Sequence, residues 1–224
     1  MSLYFTNIIK ILHDYWKVFL ITGVGNTLLL SFITVAAGSF FGVFLCLARM
    51  ARFKPLNWLV MAVVEVVRGT PLLLQLYIGY FLVPQILPFR VSAYASVTVS
   101  LVINSACYVS EVFRSGIQAV DKGQTEAARS LGLTGSMTMT KVVLPQAIKN
   151  ILPALGNEFV TVIKETSLAS TFFIGELMTS YLIVKGNNFL TMECLMITGA
   201  LYFILNFVLS RALNAFERRL KAND

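Results

Sequence analysis

The feature that most constrains this chain is a stretch without a charged residue from Val18 to Ala48. A helix needs about 20 apolar residues to cross the hydrocarbon core of a bilayer, and this stretch is longer. The rest of the chain has the same character, since 57% of all residues are hydrophobic and 13% are charged. Soluble domains carry about 25% charged residues. The sequence therefore predicts an all-α polytopic membrane protein.

Apolar runs separated by short polar stretches predict about five transmembrane helices. Their predicted bounds are about 22–48, 58–82, 93–113, 146–168 and 190–212. Pro71 is expected to kink or break the second helix, and a loop is expected over 172–189. The chain is thus predicted to form a membrane domain over 22–213, followed by a basic tail over 214–224.

The first residues have a different, amphipathic pattern. Residues 3–19 place apolar side chains at helical spacing, with polar side chains opposite them. This predicts an N-terminal interfacial helix within residues 1–21, with Tyr15 and Trp16 as membrane anchors. The segment lacks the basic region, apolar core and cleavage site of a removable signal peptide.

The distribution of basic residues predicts the topology. One set of loops contains Arg49, Arg52, Lys54, Arg114, Lys122, Arg129, Lys141, Lys149, Arg211, Arg218, Arg219 and Lys221. The other set contains Lys10, Lys17, Arg90 and Lys185. Because basic loops stay in the cytoplasm, the N-terminus is predicted outside and the C-terminus inside. The net charge of +7 is then mostly a topology signal, and we expect no nucleic-acid partner.

A moderately polar segment, Asp121–Pro145, lies between the third and fourth predicted helices. Its first half predicts a short helix from Thr125 to about Leu131, which Gly132 ends as the C′ residue. Ser136 is expected to cap a second short helix, and Pro145 suits the first turn of a long one. A compact helix with small residues on one face suits a groove on another protein.

The sequence shows no catalytic or metal-binding constellation. It has no glycine-rich phosphate loop followed by Lys and Ser or Thr, so the chain is not expected to hydrolyse ATP. Its one histidine and three separated cysteines predict no metal cluster. We therefore expect no cofactor on this chain, and any ATP and magnesium would be bound by a partner ATPase.

Polar residues within the predicted spans are candidates for a substrate path, because ionisable groups in a membrane usually face a cavity or a bundle interior. Asn104 and Ser105 can form neutral hydrogen bonds, Glu158 can bind an ammonium group, and Lys164 can bind a carboxylate. Two of them have a structural alternative: Asn104 can join helices, and Lys164 can pair with Glu165.

Two further pairs at i, i+3 spacing are interpreted as structural. They are Glu65 with Arg68, and Glu111 with Arg114.

The polar segment resembles the EAA loop of ABC importer permeases. The matching residues are Glu126-Ala127-Ala128, then Gly132 after three intervening residues, Val142 after nine more, and Leu144-Pro145 after one more. The family usually has Ile at the position of Val142, which is a mild departure. The resemblance implies that coupling helices carrying Glu126, Ala127, Ala128 and Gly132 dock into a cleft of a cytoplasmic ATPase.

Further motifs resemble the polar amino-acid uptake branch of these permeases. They are Arg68-Gly69-Thr70-Pro71-Leu72-Leu73 with Gln75, Glu111-x2-Arg114-x-Gly116-Ile117, Pro145-Gln146-Ala147 and Lys164-Glu165-Thr166-Ser167-Leu168. The likeness implies a type I-like ABC importer in a bacterial inner membrane. Its expected partners are two ATPase subunits, a second permease that is identical or homologous, an extracytoplasmic amino-acid-binding protein and membrane lipid.

Three alternatives stay open. Acidic residues at midspan and inverted repeats would favour an ion-coupled secondary transporter, and Glu158 is the plainest midspan acid. A membrane-embedded enzyme would need a cluster of reactive side chains. An ABC importer for another solute, such as phosphonate or methionine, would share the EAA loop. The identity of the amino acid and of the second permease is not encoded in these motifs.

Overall fold

The computed structural model describes residues 2–51 and 53–221, and their regular structure is helical. Ten α-helices follow in chain order: α1 Ser2–Trp16, α2 Gly25–Met50, α3 Lys54–Arg68, α4 Leu72–Ile86, α5 Ala93–Gln118, α6 Lys122–Ser130, α7 Gly135–Thr138, α8 Leu144–Glu165, α9 Leu177–Asn188 and α10 Thr191–Lys221. Two π-helical segments, Lys17–Val24 and Met139–Val143, and a 3₁₀ segment, Thr166–Phe172, join some of them.

Three helical runs are long and apolar enough to cross a membrane, namely Tyr4–Met50, Ala93–Gln118 and Thr191–Leu220. The number rises to five if each of two bent helix pairs forms one span. One pair is α3 with α4, and the other joins the run Gly135–Phe172 to α9. The expectation of about five spans is met in this sense.

The first span differs from its prediction. A separate interfacial helix is expected before residue 22, but helical structure runs from Ser2 to Met50 without a loop. Tyr15 interrupts it locally with φ −120° and ψ 15°. The side chain of Ile11 is buried in a cluster with Leu177 and Val184. One face of α1 therefore packs against protein rather than against lipid alone.

Pro71 breaks the second predicted helix, as expected. The single helix predicted over 58–82 is instead the pair α3 and α4. Gly69 caps the end of α3, and Pro71 precedes α4 with φ −62° and ψ 133°. Proline cannot donate a backbone hydrogen bond, so a helix breaks most easily at such a position.

The predicted loop over 172–189 is wrong, because most of it forms α9. The Glu176 side chain caps this helix and accepts hydrogen bonds from the backbone N–H groups of Met178 and Thr179, both at 2.7 Å. Leu177, Tyr181 and Val184 are spaced i, i+4 and i+7, and their side chains are buried. Helix α10 also extends beyond its prediction to Lys221, so the basic tail predicted from 214 is helical up to that residue.

The chain divides into two compact units. The first comprises the residues up to Thr34, Thr70–Val102 and Phe159–Ser210. It contains two hydrophobic clusters, one around Phe19 and one around Leu30. The second comprises Val35–Gly69, Ile103–Glu158 and the residues from Arg211 on.

In the second unit, α2 and α5 pack at close range through glycines. A Cβ atom added to Gly38 would lie 2.7 Å from Ser105 Oγ, and one on Gly42 would lie 2.9 Å from Val109 Cγ1. Small residues four apart allow helix backbones to approach closely in a membrane. This glycine pair therefore serves helix packing.

We expect Gly38→Leu to lower the thermal unfolding temperature of the purified chain, because overpacking a tight contact costs about 1–3 kcal/mol. Gly199→Leu is the matched control, since a Cβ at Gly199 meets no atom within 4 Å. A thiol-reactive dye can follow unfolding through the three buried cysteines. Equal unfolding temperatures for the two variants would contradict the close packing of α2 and α5.

Candidate functional site

The helix at the centre of the polar segment is α6, and its two ends are defined by local hydrogen bonds. The Asp121 carboxylate caps the N-terminus by accepting from the backbone N–H of Gly123 at 2.7 Å. The helix thus begins one turn earlier than the predicted Thr125, because the aspartate supplies the cap that the first N–H groups need.

Gly132 ends α6 as predicted. Its φ is +84°, and its N–H donates to the carbonyl of Arg129 at 3.0 Å. The N–H of Leu133 donates to the carbonyl of Ala128 at 3.2 Å. This pair of bonds is a Schellman motif, which favours glycine because a Cβ is penalised at positive φ. The guanidinium of Arg129 adds a bond to the Leu133 carbonyl at 2.7 Å.

The exposed surface of α6 differs in part from the predicted apolar face. Glu126 and Ala127 are exposed, whereas Ala128 is 5% exposed and packs inward. Leu131 follows the helix and is 82% exposed. An apolar side chain presented this way on a polar segment suits insertion into a partner.

The residues after α6 turn back against it. Thr134, rather than the predicted Ser136, caps α7 by accepting from the N–H of Met137 at 3.3 Å. α6 packs against α7 and against the π-helical segment Met139–Val143. Pro145 lies in the first turn of α8 as expected, and Gln146 donates to the Val142 carbonyl at 2.9 Å.

Three guanidinium groups converge on the carboxylate of Glu111 in the second unit. Arg49 Nη1 lies 2.7 Å from Glu111 Oε2, and Arg68 Nη1 lies 3.8 Å from the same oxygen. Arg114 donates through Nε at 3.1 Å and through Nη2. The predicted pairing of Glu111 with Arg114 is thus confirmed.

Arg68 has surroundings that the sequence did not predict. Glu65 is its expected partner, but the structure places the guanidinium near Glu111 and 5.2 Å from the ring centre of Tyr108. These contacts connect the last turns of α2 and α3 to α5. Arg114 also donates to Gln118 Oε1 at 2.5 Å, so the network reaches the last residue of α5, shortly before α6.

The structure brings together some of the predicted substrate-path residues. Asn104 and Ser105 are buried on α5, and Ser105 Oγ donates to Glu158 Oε1 of α8 at 3.4 Å. Glu158 is half-buried. These three residues belong to the second unit, whereas Lys164 belongs to the first and its side chain is exposed.

The sequence analysis did not single out Glu176, a buried acid that is 0% exposed. Besides capping α9, its carboxylate accepts from Tyr202 Oη at 2.8 Å and from Thr179 Oγ1 at 3.0 Å. Each of these contacts of the Glu176 carboxylate stabilises the fold. The available signal was an acid directly before a run with buried residues at i, i+4 and i+7. Among the described residues, no group of three or more His, Cys, Asp or Glu side chains is placed to hold a metal ion.

Comparison with known proteins assigns this chain to a family. The family model described as the inner membrane component of binding-protein-dependent transport systems matches residues 38–222. The chain belongs to this permease family. Membership favours a binding-protein-dependent transporter over the ion-coupled and enzymatic alternatives.

Two relatives that match most of the permease are amino-acid permeases by name. An arginine transport system permease of Bacillus subtilis is 39% identical over 92% of this chain and 94% of its own length. A probable glutamine ABC transporter permease of the same organism is 36% identical over 95% of this chain and 98% of its own length.

Solved structures agree on the fold. A chain of an amino acid ABC transporter crystallised with histidines is 41% identical, with a TM-score of 0.88 over 93% of this permease and 96% of that chain. A methionine ABC transporter in an inward-facing conformation is 21% identical, with a TM-score of 0.74 over 90% of this permease and 96% of that chain. At this identity it supports the fold alone.

We expect Gly132→Ala to weaken the end of α6, because an alanine at φ +84° costs about 1 kcal/mol. Gly135→Ala is the matched control, since neither position has an atom within 4 Å of an added Cβ and no positive φ is recorded for Gly135. Hydrogen exchange at the amides of residues 132 and 133 measures the effect. Equal exchange in both variants would show that the Schellman motif does not stabilise this end.

Proposed function

We propose that the chain is the membrane permease subunit of an ATP-driven ABC importer for polar amino acids. The observation that carries the proposal is α6, a capped helix with exposed Glu126 and Ala127 and the exposed Leu131 after its end. It lies in a member of a binding-protein-dependent permease family. Docking of this helix into a cleft of a cytoplasmic ATPase would couple ATP use to the membrane helices.

The ATPase partner is proposed to bind ATP and magnesium, because this chain carries no phosphate-binding loop. Two permeases, identical or homologous, would frame the path, and an extracytoplasmic binding protein would deliver the amino acid. The positive-inside rule places the N-terminus outside and α6 in the cytoplasm. Membrane lipid surrounds the helices, and no nucleic acid takes part.

The proposed mechanism is alternating access. Closure of the ATPase pair on ATP drives transport only if it binds one permease conformation better than the other. Such coupling is a difference in binding free energy between the two permease conformations, and α6 is the surface through which the ATPase would impose it. A rigidly ended helix suits this role because movement of the partner is then transferred to the neighbouring helices rather than absorbed locally.

The substrate class is supported by the relatives, whose names specify arginine, glutamine and cystine. Side-chain chemistry agrees with an amino acid. The carboxylate of Glu158 can bind an ammonium or a basic side chain, and Ser105 and Asn104 can donate and accept hydrogen bonds. We propose these three residues as the substrate path, with Lys164 as a carboxylate-binding candidate in the other unit.

We expect Ala127→Glu to abolish recovery of the ATPase when the tagged chain is isolated from its own membranes. The added charge would need to be buried in the partner's cleft without a counter-charge, which is costly. Ala119→Glu is the matched control, because it makes the same change at an exposed alanine outside α6. Bound proteins are identified by mass spectrometry, and ATP hydrolysis is measured with and without amino acids.

Loss of the ATPase from both variants would show that the α6 face is not the specific contact. If the native chain in an intact preparation retains no ATPase, the ion-coupled transporter becomes the better hypothesis.

We expect Glu158→Gln to change substrate selectivity without lowering the yield of assembled complex. Losing a charge-assisted bond should reduce uptake of arginine relative to glutamine by about tenfold. Glu165→Gln is the control, since it makes the same change later on α8 and in the other unit. Uptake of both labelled amino acids into proteoliposomes is the measurement, and unchanged kinetics would remove Glu158 from the path.

A further inference from the structure

A cavity of about 540 Å³ lies beside α6 in the second unit. Its walls come from the end of α5, from α6 and from the helical run that begins at Gly135. The polar side chains that matter for its chemistry are Gln118, Lys122, Thr125, Arg129 and Thr138. A cavity of this size is typical of small-ligand sites.

The charge on the cavity wall is positive. Among the described residues that line the cavity, Lys122 and Arg129 are charged and none is acidic. Arg129 uses Nη1 to bond the Leu133 carbonyl. A guanidinium has five N–H donors, so it can also bind a ligand.

A second observation points to a ligand independently of the charge. Thr138 lies on the cavity wall and is 2% exposed, yet its hydroxyl oxygen has no hydrogen-bond partner in the described structure. Buried hydroxyl groups normally have a partner. A ligand in the cavity would provide one.

The cavity face of α6 is separate from its exposed apolar face. Lys122, Thr125 and Arg129 are spaced i, i+3 and i+7, which places them on one side of the helix. At about 100° per residue, Ala127 and Leu131 point roughly to the opposite side. A ligand in the cavity would therefore leave the proposed docking face uncovered.

We propose that this cavity binds a phosphate group, either inorganic phosphate or the headgroup of an anionic phospholipid. Phosphate offers several acceptor oxygens in a tetrahedral arrangement, which suits two cations and a hydroxyl better than a planar carboxylate does. The bound group joins Lys122 and Arg129 of α6 to Thr138 of α7. It thereby holds α6 against the helical run that follows, whatever solute is transported.

The test uses the full-length chain purified with its native partners. In one arm the delipidated complex is titrated with inorganic phosphate by calorimetry. In the other, native mass spectrometry compares retention of phosphatidylglycerol with that of phosphatidylcholine. Phosphate binding identifies the free ion as a ligand, and selective phosphatidylglycerol retention without phosphate binding identifies the lipid headgroup.

Lys122→Ala and Thr138→Val should each weaken binding at least about fivefold, because each removes a hydrogen bond to a charged group. Lys141→Ala is the matched control, since Lys141 is an exposed cation in the adjacent π-helical segment and is not among the cavity-lining residues. It should bind as the native chain does. The proposal is overturned if neither ligand binds, if Thr138→Val binds with native affinity, or if Lys141→Ala weakens binding as much as Lys122→Ala does.

Discussion

Backbone N–H and C=O groups find no water in the hydrocarbon core of a bilayer, so each must bond within the protein. The described chain meets this constraint with helices, and several changes of helix type occur without loss of helical continuity. The π-helical segments Lys17–Val24 and Met139–Val143 each pass directly into an α-helix, and α8 continues into a 3₁₀ segment. The other features of the structure therefore depend on these long helical runs.

Where a helix does end, a side chain often takes over the backbone bonds. Glu176 accepts from two N–H groups at the start of α9, and the N–H of Leu177 donates to Thr27 Oγ1 at 3.0 Å. Gln75 likewise donates to the Thr70 carbonyl at 3.0 Å beside the break at Pro71. Some polar groups in this apolar chain thus complete the backbone hydrogen bonds, and we propose that others contact a solute.

The same distinction separates the acids in this protein. Glu111 is surrounded by guanidinium groups and joins helices, and removing one partner of such a cluster leaves an uncompensated charge. Glu158 accepts a hydrogen bond from the Ser105 hydroxyl, and we propose its carboxylate as a contact for a cationic group of a solute. The Glu111 network reaches Gln118 at the end of α5, and α6 begins four residues later. Contacts therefore extend from the end of α5, shortly before α6, toward α2 and α3, which agrees with the coupling role proposed for α6.

The sequence by itself determined the features that depend on local chemistry. Hydropathy indicated the spans, proline at 71 predicted the break, and glycine at 132 predicted a left-handed residue, because each effect acts within a few residues. The tertiary structure alone decided α9, the partners of Arg68 and the cavity at Thr138. These depend on approaches between distant residues, such as Thr27 and Leu177, which lie 150 positions apart. Hydropathy and spacing in one sequence do not specify such approaches, since they arise from how whole helices pack.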